Sequence, residues 1–125
     1  MSYSRQEILY SVAKYYSIES ELISGKSLKG NLVKARQMYC YLCKKYTDFS
    51  LCKISKIINR DHATVIHSVK KINNQIKLYP DIQYDINQIS LILFEIRENN
   101  NNLIPKDVNL LLLRINHTNS FIKTI

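Results

Sequence analysis

Apolar residues recur at helical spacing along almost the whole chain. Ile8, Leu9, Val12, Ala13 and Tyr16 mark one face of an amphipathic helix over residues 5–16. Ser20, Glu21 and Leu22 allow a short helical turn at most. The segment 24–30, Ser-Gly-Lys-Ser-Leu-Lys-Gly, holds both glycines of the chain and reads as a basic loop. Leu32, Ala35, Tyr39, Leu42, Cys43 and Tyr46 then line a helix over 31–46. Leu51, Ile54, Ile57 and Ile58 mark a short helix with Ser50 as its N-cap. Val65, Val69, Ile72 and Ile76 mark a longer one that opens near Asp61 and ends before Pro80. Ile82, Ile86, Ile89, Leu93 and Ile96 continue as a regular stripe, which the polar run 99–102 is expected to break as a linker. Val108, Leu111, Leu112 and Ile115 suggest a last helix after Pro105, a residue well placed to start one. No segment alternates like a strand. The expected fold is all-α, a helical domain over 1–98 with a C-terminal extension over 99–125 that packs on it or on a partner.

Composition sharpens this picture. At 125 residues the chain is one domain long, and 46% hydrophobic with 22% charged residues is an ordinary globular balance. The formal net charge is +8, and it is unevenly placed. Residues 1–80 carry fourteen lysines and arginines against five acids, whereas 81–125 carry four against five. The basic field therefore belongs to the first two thirds, which calls for an anionic partner. The start lacks a cleavable signal pattern, and no apolar run is long enough to span a bilayer. Three cysteines, an odd number, make a poor disulfide framework, so a cytoplasmic protein with reduced thiols is expected.

The stretch 50–76 carries the most information. A short helix followed within a few residues by a second helix is a helix-turn-helix pattern, whose second helix enters a major groove with its first turn at the base edges. Asp61, His62, Ala63 and Thr64 occupy that turn. Lys70 and Lys71 lie off the apolar stripe, free to meet phosphates. Lys53 and Lys56 sit where the first helix of such a motif crosses the backbone, although they also suit a plain solvated face.

Arg60-Asp61-His62-Ala63-Thr64-Val65-Ile66-His67-Ser68, followed by Lys71-Ile72, closely resembles the signature of the C-terminal DNA-binding domain of the bacterial replication initiator DnaA. Upstream, Val12-Ala13-Lys14-Tyr15-Tyr16, Gly25-Lys26-Ser27 and Val33-Lys34-Ala35-Arg36-Gln37 resemble the same family in the same order. The resemblance implies a helical domain that binds duplex DnaA boxes. It implies major-groove readers at Asp61, His62, Ala63 and Thr64, with Arg60 and His67 beside them. It further implies a group at Lys34, Arg36 and Gln37 gripping backbone and bases, and a loop group of Lys26, Ser27 and Lys29 near the adjacent minor groove. Lys53 and Lys71 complete the expected DNA-contacting set.

Departures from the family pattern bear on specificity. Leu28 and Gly30 stand where relatives usually carry arginines, and Leu28 cannot supply the charge that a narrow A·T minor groove attracts. Ala63 replaces a common threonine, keeping a methyl for thymine but losing a hydroxyl. Weaker or altered box specificity is therefore expected. The nucleotide-binding domain that precedes this domain in full-length initiators is absent from the sequence, so an ATP-driven initiator is not expected.

Other motifs have plainer readings. Gly25-Lys26-Ser27 ends like a phosphate-binding loop but has Ser20 where the first glycine belongs, so no nucleotide is expected. Cys40 and Cys43 have zinc-knuckle spacing inside a helix with no second pair, which favours buried thiols. His62 and His67, five apart on a helix, do not share a face as metal ligands would. Asp61 suits a helix N-cap as well as a cytosine acceptor. Tyr15, Tyr16, Tyr39 and Tyr46 suit a core. With no catalytic set, metal cluster or cofactor motif, the expected function is sequence-preferring duplex binding by a non-enzymatic regulator or accessory of replication or transcription, nucleoid-associated and of bacterial, phage or plasmid origin. The alternative is an interaction module with weakened, mostly non-specific DNA binding. Leu91, Ile92, Leu93 and Phe94 run consecutively and need cover, which allows a homodimer or a replication-protein partner through the C-terminal helices.

Overall fold

A computed structural model describes residues 3–102. The order is α1 (Arg5–Tyr16), α2 (Ser20–Ile23), α3 (Gly30–Tyr46), α4 (Leu51–Ile58), α5 (His62–Leu78) and α6 (Pro80–Asn102), so the described chain is all-α. Several boundaries have a local cause. Ser4 and Glu7 form a reciprocal capping box at the start of α1, with Ser4 Oγ accepting from the Glu7 amide at 3.0 Å. Ser17 ends α1 in the left-handed region, at φ 57°, and closes its last turn. Ser50 caps α4 by accepting from the Lys53 amide at 3.1 Å.

The centre of the fold is α3. Residues 35–40, together with Leu42 and Cys43, are buried, so this helix is enclosed nearly all round and the other elements pack onto it. Tyr39 is fully buried, and its hydroxyl donates to the Ile54 carbonyl at 3.2 Å, tying α3 to the first helix of the helix-turn-helix. Ile54 and Ile58 of α4, Val65 and Ile72 of α5, and Ile8 and Val12 of α1 close the same core. Ile82, Ile86, Ile89 and Leu93 add the buried stripe of α6. Polar bonds fix α6 further: Tyr15 donates to Asp85 at 2.6 Å, and the hydroxyls of Tyr46 and Ser90 lie 2.8 Å apart.

The expected break at 99 is corrected, because α6 runs on through Asn102. Asparagine is a weak helix former but no breaker, and extending a helix that already exists costs far less than starting one. By its contacts the chain divides within α6, after Leu93. The helix expected after Pro105 lies outside the described residues.

Candidate nucleic-acid interface

The turn between α4 and α5 is built by three residues. Asn59 takes the left-handed conformation at φ 53°, which asparagine tolerates better than most residues. Its amide returns to the last turn of α4, ending that helix cleanly. Asp61 then caps α5: its carboxylate accepts from the Thr64 amide at 2.8 Å. That backbone hydrogen bond holds the Asp61 carboxyl below its ordinary range, so it is an ionised acceptor throughout the neutral range.

With the cap fixed, α5 presents one continuous exposed face. His62, Ala63, Ile66, His67, Lys70 and Lys71 are exposed, Thr64 is half-buried, and Val65, Ser68 and Ile72 face the core. Ile66, 42% exposed, stands on this face between the two histidines and the lysines, where its side chain suits apolar contact with a thymine methyl. The 3.6-residue period offered that signal, since Ile66 lies off the Val65, Ile72 and Ile76 stripe.

Next to α5 lies an open groove bordered by Leu28, Lys34, Gln37, Lys71 and Gln75. It brings part of the expected α3 group to the recognition helix, with the Lys34 ammonium donating to the Gln75 amide oxygen at 3.3 Å. Lys26 and Lys29 are exposed on the loop, and Leu28 is 79% exposed between them. Ser27 is turned to local use, its hydroxyl accepting from the Lys29 amide at 3.2 Å. Lys53 is exposed on α4 with its ammonium 4.3 Å from the centre of the Phe49 ring, a cation–π contact.

Two arginines stand elsewhere than expected. Arg36 is only 5% exposed, and its Nε and a terminal nitrogen donate to the carbonyls of Ile23 at 2.7 Å and Gly25 at 3.0 Å. The expected phosphate grip thus falls on a side chain that the fold holds largely inside, with Nε and one terminal nitrogen engaged on backbone carbonyls. Burial, and then the neighbouring Arg60, lower its pKa from the ordinary guanidinium value. Arg60 donates to Ile58 at 2.9 Å and, like Arg36, to Gly25, at 2.8 Å. Sequence spacing could not reveal this convergence, since Arg36 and Arg60 meet only through the folded chain. Gln37, 9% exposed, lines the groove.

Among the described residues, no cluster of three histidine, cysteine or acidic side chains is placed to hold a metal ion. None of the described helices is long and apolar enough to cross a membrane.

Comparison with known proteins agrees with this architecture. The profile of the family described as "Bacterial dnaA protein helix-turn-helix" matches residues 5–72, more than half of the chain. The chromosomal replication initiator protein DnaA of Bacteroides thetaiotaomicron is 42% identical over 88 residues, 70% of this chain and 19% of that protein. Its counterpart from Bacteroides fragilis is 41% identical over 88 residues, 70% of this chain and 18% of its own. That of Tropheryma whipplei is 37% identical over 89 residues, covering 68% and 18% respectively. The chain thus spans about a fifth of the length of these relatives. A capped recognition helix, a helix-turn-helix in a helical core and a match running from α1 into α5 lead to one assignment: the chain belongs to the bacterial DnaA helix-turn-helix family.

Proposed function

We propose that the chain binds duplex DNA with a preference for a DnaA-box-like sequence, reading bases with the first turns of α5. The observation that carries this reading is the exposed α5 face, headed by Asp61, His62 and Ala63, within a helix-turn-helix of the DnaA family. His62 and Asp61 supply polar base contacts, and Ala63, Ile66 and the Thr64 methyl supply apolar ones. Lys26, Lys29, Lys34, Lys53, Lys70 and Lys71 neutralise phosphates, which fixes register and orientation but carries no sequence information. On this reading the protein is a regulator or accessory of replication or transcription that works by binding.

Fluorescence anisotropy on a DnaA-box duplex and a shuffled duplex, at low and moderate salt, tests it. A preference of about tenfold or more that survives added salt, about 1.4 kcal/mol of base readout, is the expected result. Equal binding that collapses with salt would leave only the phosphate grip, and no binding at all would reject the proposal.

A second reading has its own observation. Tyr84 and Leu91, seven apart on α6, are each 54% exposed, an apolar face suited to a second copy or a replication protein. Sedimentation as a monomer at about 50 µM would remove the homodimer from this reading.

A further inference from the structure

We propose that Arg36 and Arg60 are positioning residues that clamp the basic loop to the helix-turn-helix, so that loop and recognition helix meet the duplex as one rigid surface. The inference rests on the duplex-binding reading above for its role, and on the following geometry for its existence.

The segment that leads into the loop cannot hold itself in place. α2 has four residues, far below the length at which a helix is stable alone. Its N-cap Glu19 makes no side-chain cap, and its carboxyl end carries carbonyls that need partners. Arg36, projecting from the first turns of α3, meets them. It donates to Ile23 at 2.7 Å and Gly25 at 3.0 Å, with a longer contact to Leu22 at 3.4 Å. Arg60 reaches the same Gly25 carbonyl at 2.8 Å from the α4–α5 turn, where it also binds the carbonyls of Ile58 and Asn59. Two further bonds join the same segments: Ser24 Oγ donates to the Ile57 carbonyl at 2.6 Å, and the Asn59 side-chain Nδ2 donates to the Ser24 carbonyl at 3.3 Å.

This arrangement holds two like charges on one carbonyl, one of them buried. Arg36 aims Nε and one terminal nitrogen at these carbonyls rather than at solvent, and the residue is only 5% exposed. The loop residues that do face solvent, Lys26, Leu28 and Lys29, follow directly after the clamped Gly25. Their placement relative to Asp61 and His62 is therefore set by the turn that positions α5. Anionic phosphates nearby also offset the repulsion between the guanidiniums, which favours the clamped loop in the bound state.

The test uses charge-conserving variants of the full chain, Arg36→Lys and Arg60→Lys, beside the loop variant Lys26→Ala/Lys29→Ala and the combinations. Hydrogen exchange reads the clamp without DNA. Both arginine variants are expected to lose protection at the Gly25 and Lys29 amides, which are hydrogen-bonded in the loop, while α3 and α5 keep theirs. Binding then reads its consequence. Each arginine variant is expected to lose about fivefold in duplex affinity, as the loop variant does, and to flatten the salt dependence although its own charge is kept. In the loop-variant background the arginine substitutions should cost little more. Unchanged loop exchange in both variants overturns the clamp, and fully additive binding losses overturn its role in recognition. Should Arg36→Lys fail to fold, Arg60→Lys, at a half-buried site, carries the same test. A wild-type protein that ignores duplex DNA while the variants free the loop would reject the binding reading and leave the clamp standing.

Discussion

His62 is exposed at the first position of α5, beside a cap that fixes the backbone under it. Replacing it with alanine leaves the core untouched, so stability should shift by no more than about 0.5 kcal/mol. Affinity for the preferred duplex should fall by about 1–3 kcal/mol, and affinity for a random duplex by much less. Paired anisotropy titrations would reveal the difference, and equal losses on both duplexes would exclude His62 as a base reader. A second residue-scale expectation concerns the thiols. Burial pushes Cys40 and Cys43 up to about 12, so both are protonated and shielded at neutral pH, whereas Cys52 is exposed. A thiol reagent should therefore modify one cysteine in the native protein and all three in denaturant.

At the scale of elements, the caps decide where α4 and α5 begin. Ser50→Ala removes the hydroxyl that accepts from the Lys53 amide at 3.1 Å, which should cost about 1 kcal/mol in a denaturant titration. The loop end of α3 behaves differently. A Cβ added at Gly30 would meet no other part of the fold within 4 Å, so Gly30→Arg starts into open space. Relief of the glycine entropy cost and the poor match of a cation with a helix start oppose each other, keeping the stability change within about 0.5 kcal/mol. Duplex affinity should rise, with a salt slope steeper by about 0.9. A slope unchanged by Gly30→Arg would place residue 30 away from the phosphates.

Much of this was legible in the sequence. Helices α1, α4 and α5 fall within a residue or two of the ranges set by their apolar stripes and caps, because capping serines, an aspartate and a proline act locally. The continuation of α6 through the asparagines was hidden, since a propensity penalty at single residues says little once a helix is propagating. On the candidate interface, the exposed α5 residues follow from helical period alone. The inward turn of Arg36 does not, because its partners at Ile23 and Gly25 belong to a segment that takes its place only in the folded chain.

At the scale of the molecule, the lysines and the apolar core are separate systems, with Arg36 the charged side chain that enters the fold. Among the described residues the core is one apolar cluster around α3, while the lysines of the proposed interface sit on the loop, α3, α4 and α5. Exposed lysines contribute little to folding, so Lys71→Ala should leave the melting temperature nearly unchanged. It should weaken binding to all duplexes alike and reduce the salt slope by about 1. A sequence-selective loss instead would move Lys71 from the phosphates to the bases.

The openness of the loop tip has an evolutionary consequence. Leu28 is 79% exposed and a Cβ at Gly30 would stand in open space, so neither position is constrained by core packing. Substitutions there pass the stability threshold that removes most mutations in a small protein. If the chain reads duplex DNA as proposed, selection on these positions acts mainly through recognition, and a substitution there retunes DNA preference without a compensating change elsewhere. The Arg36–Gly25–Arg60 node offers no such freedom, since losing Arg36 frees the Ile23 carbonyl, losing Arg60 frees that of Ile58, and either loss leaves Gly25 with one partner of two. A lineage of such proteins should diversify at the loop tip while keeping the node that holds it.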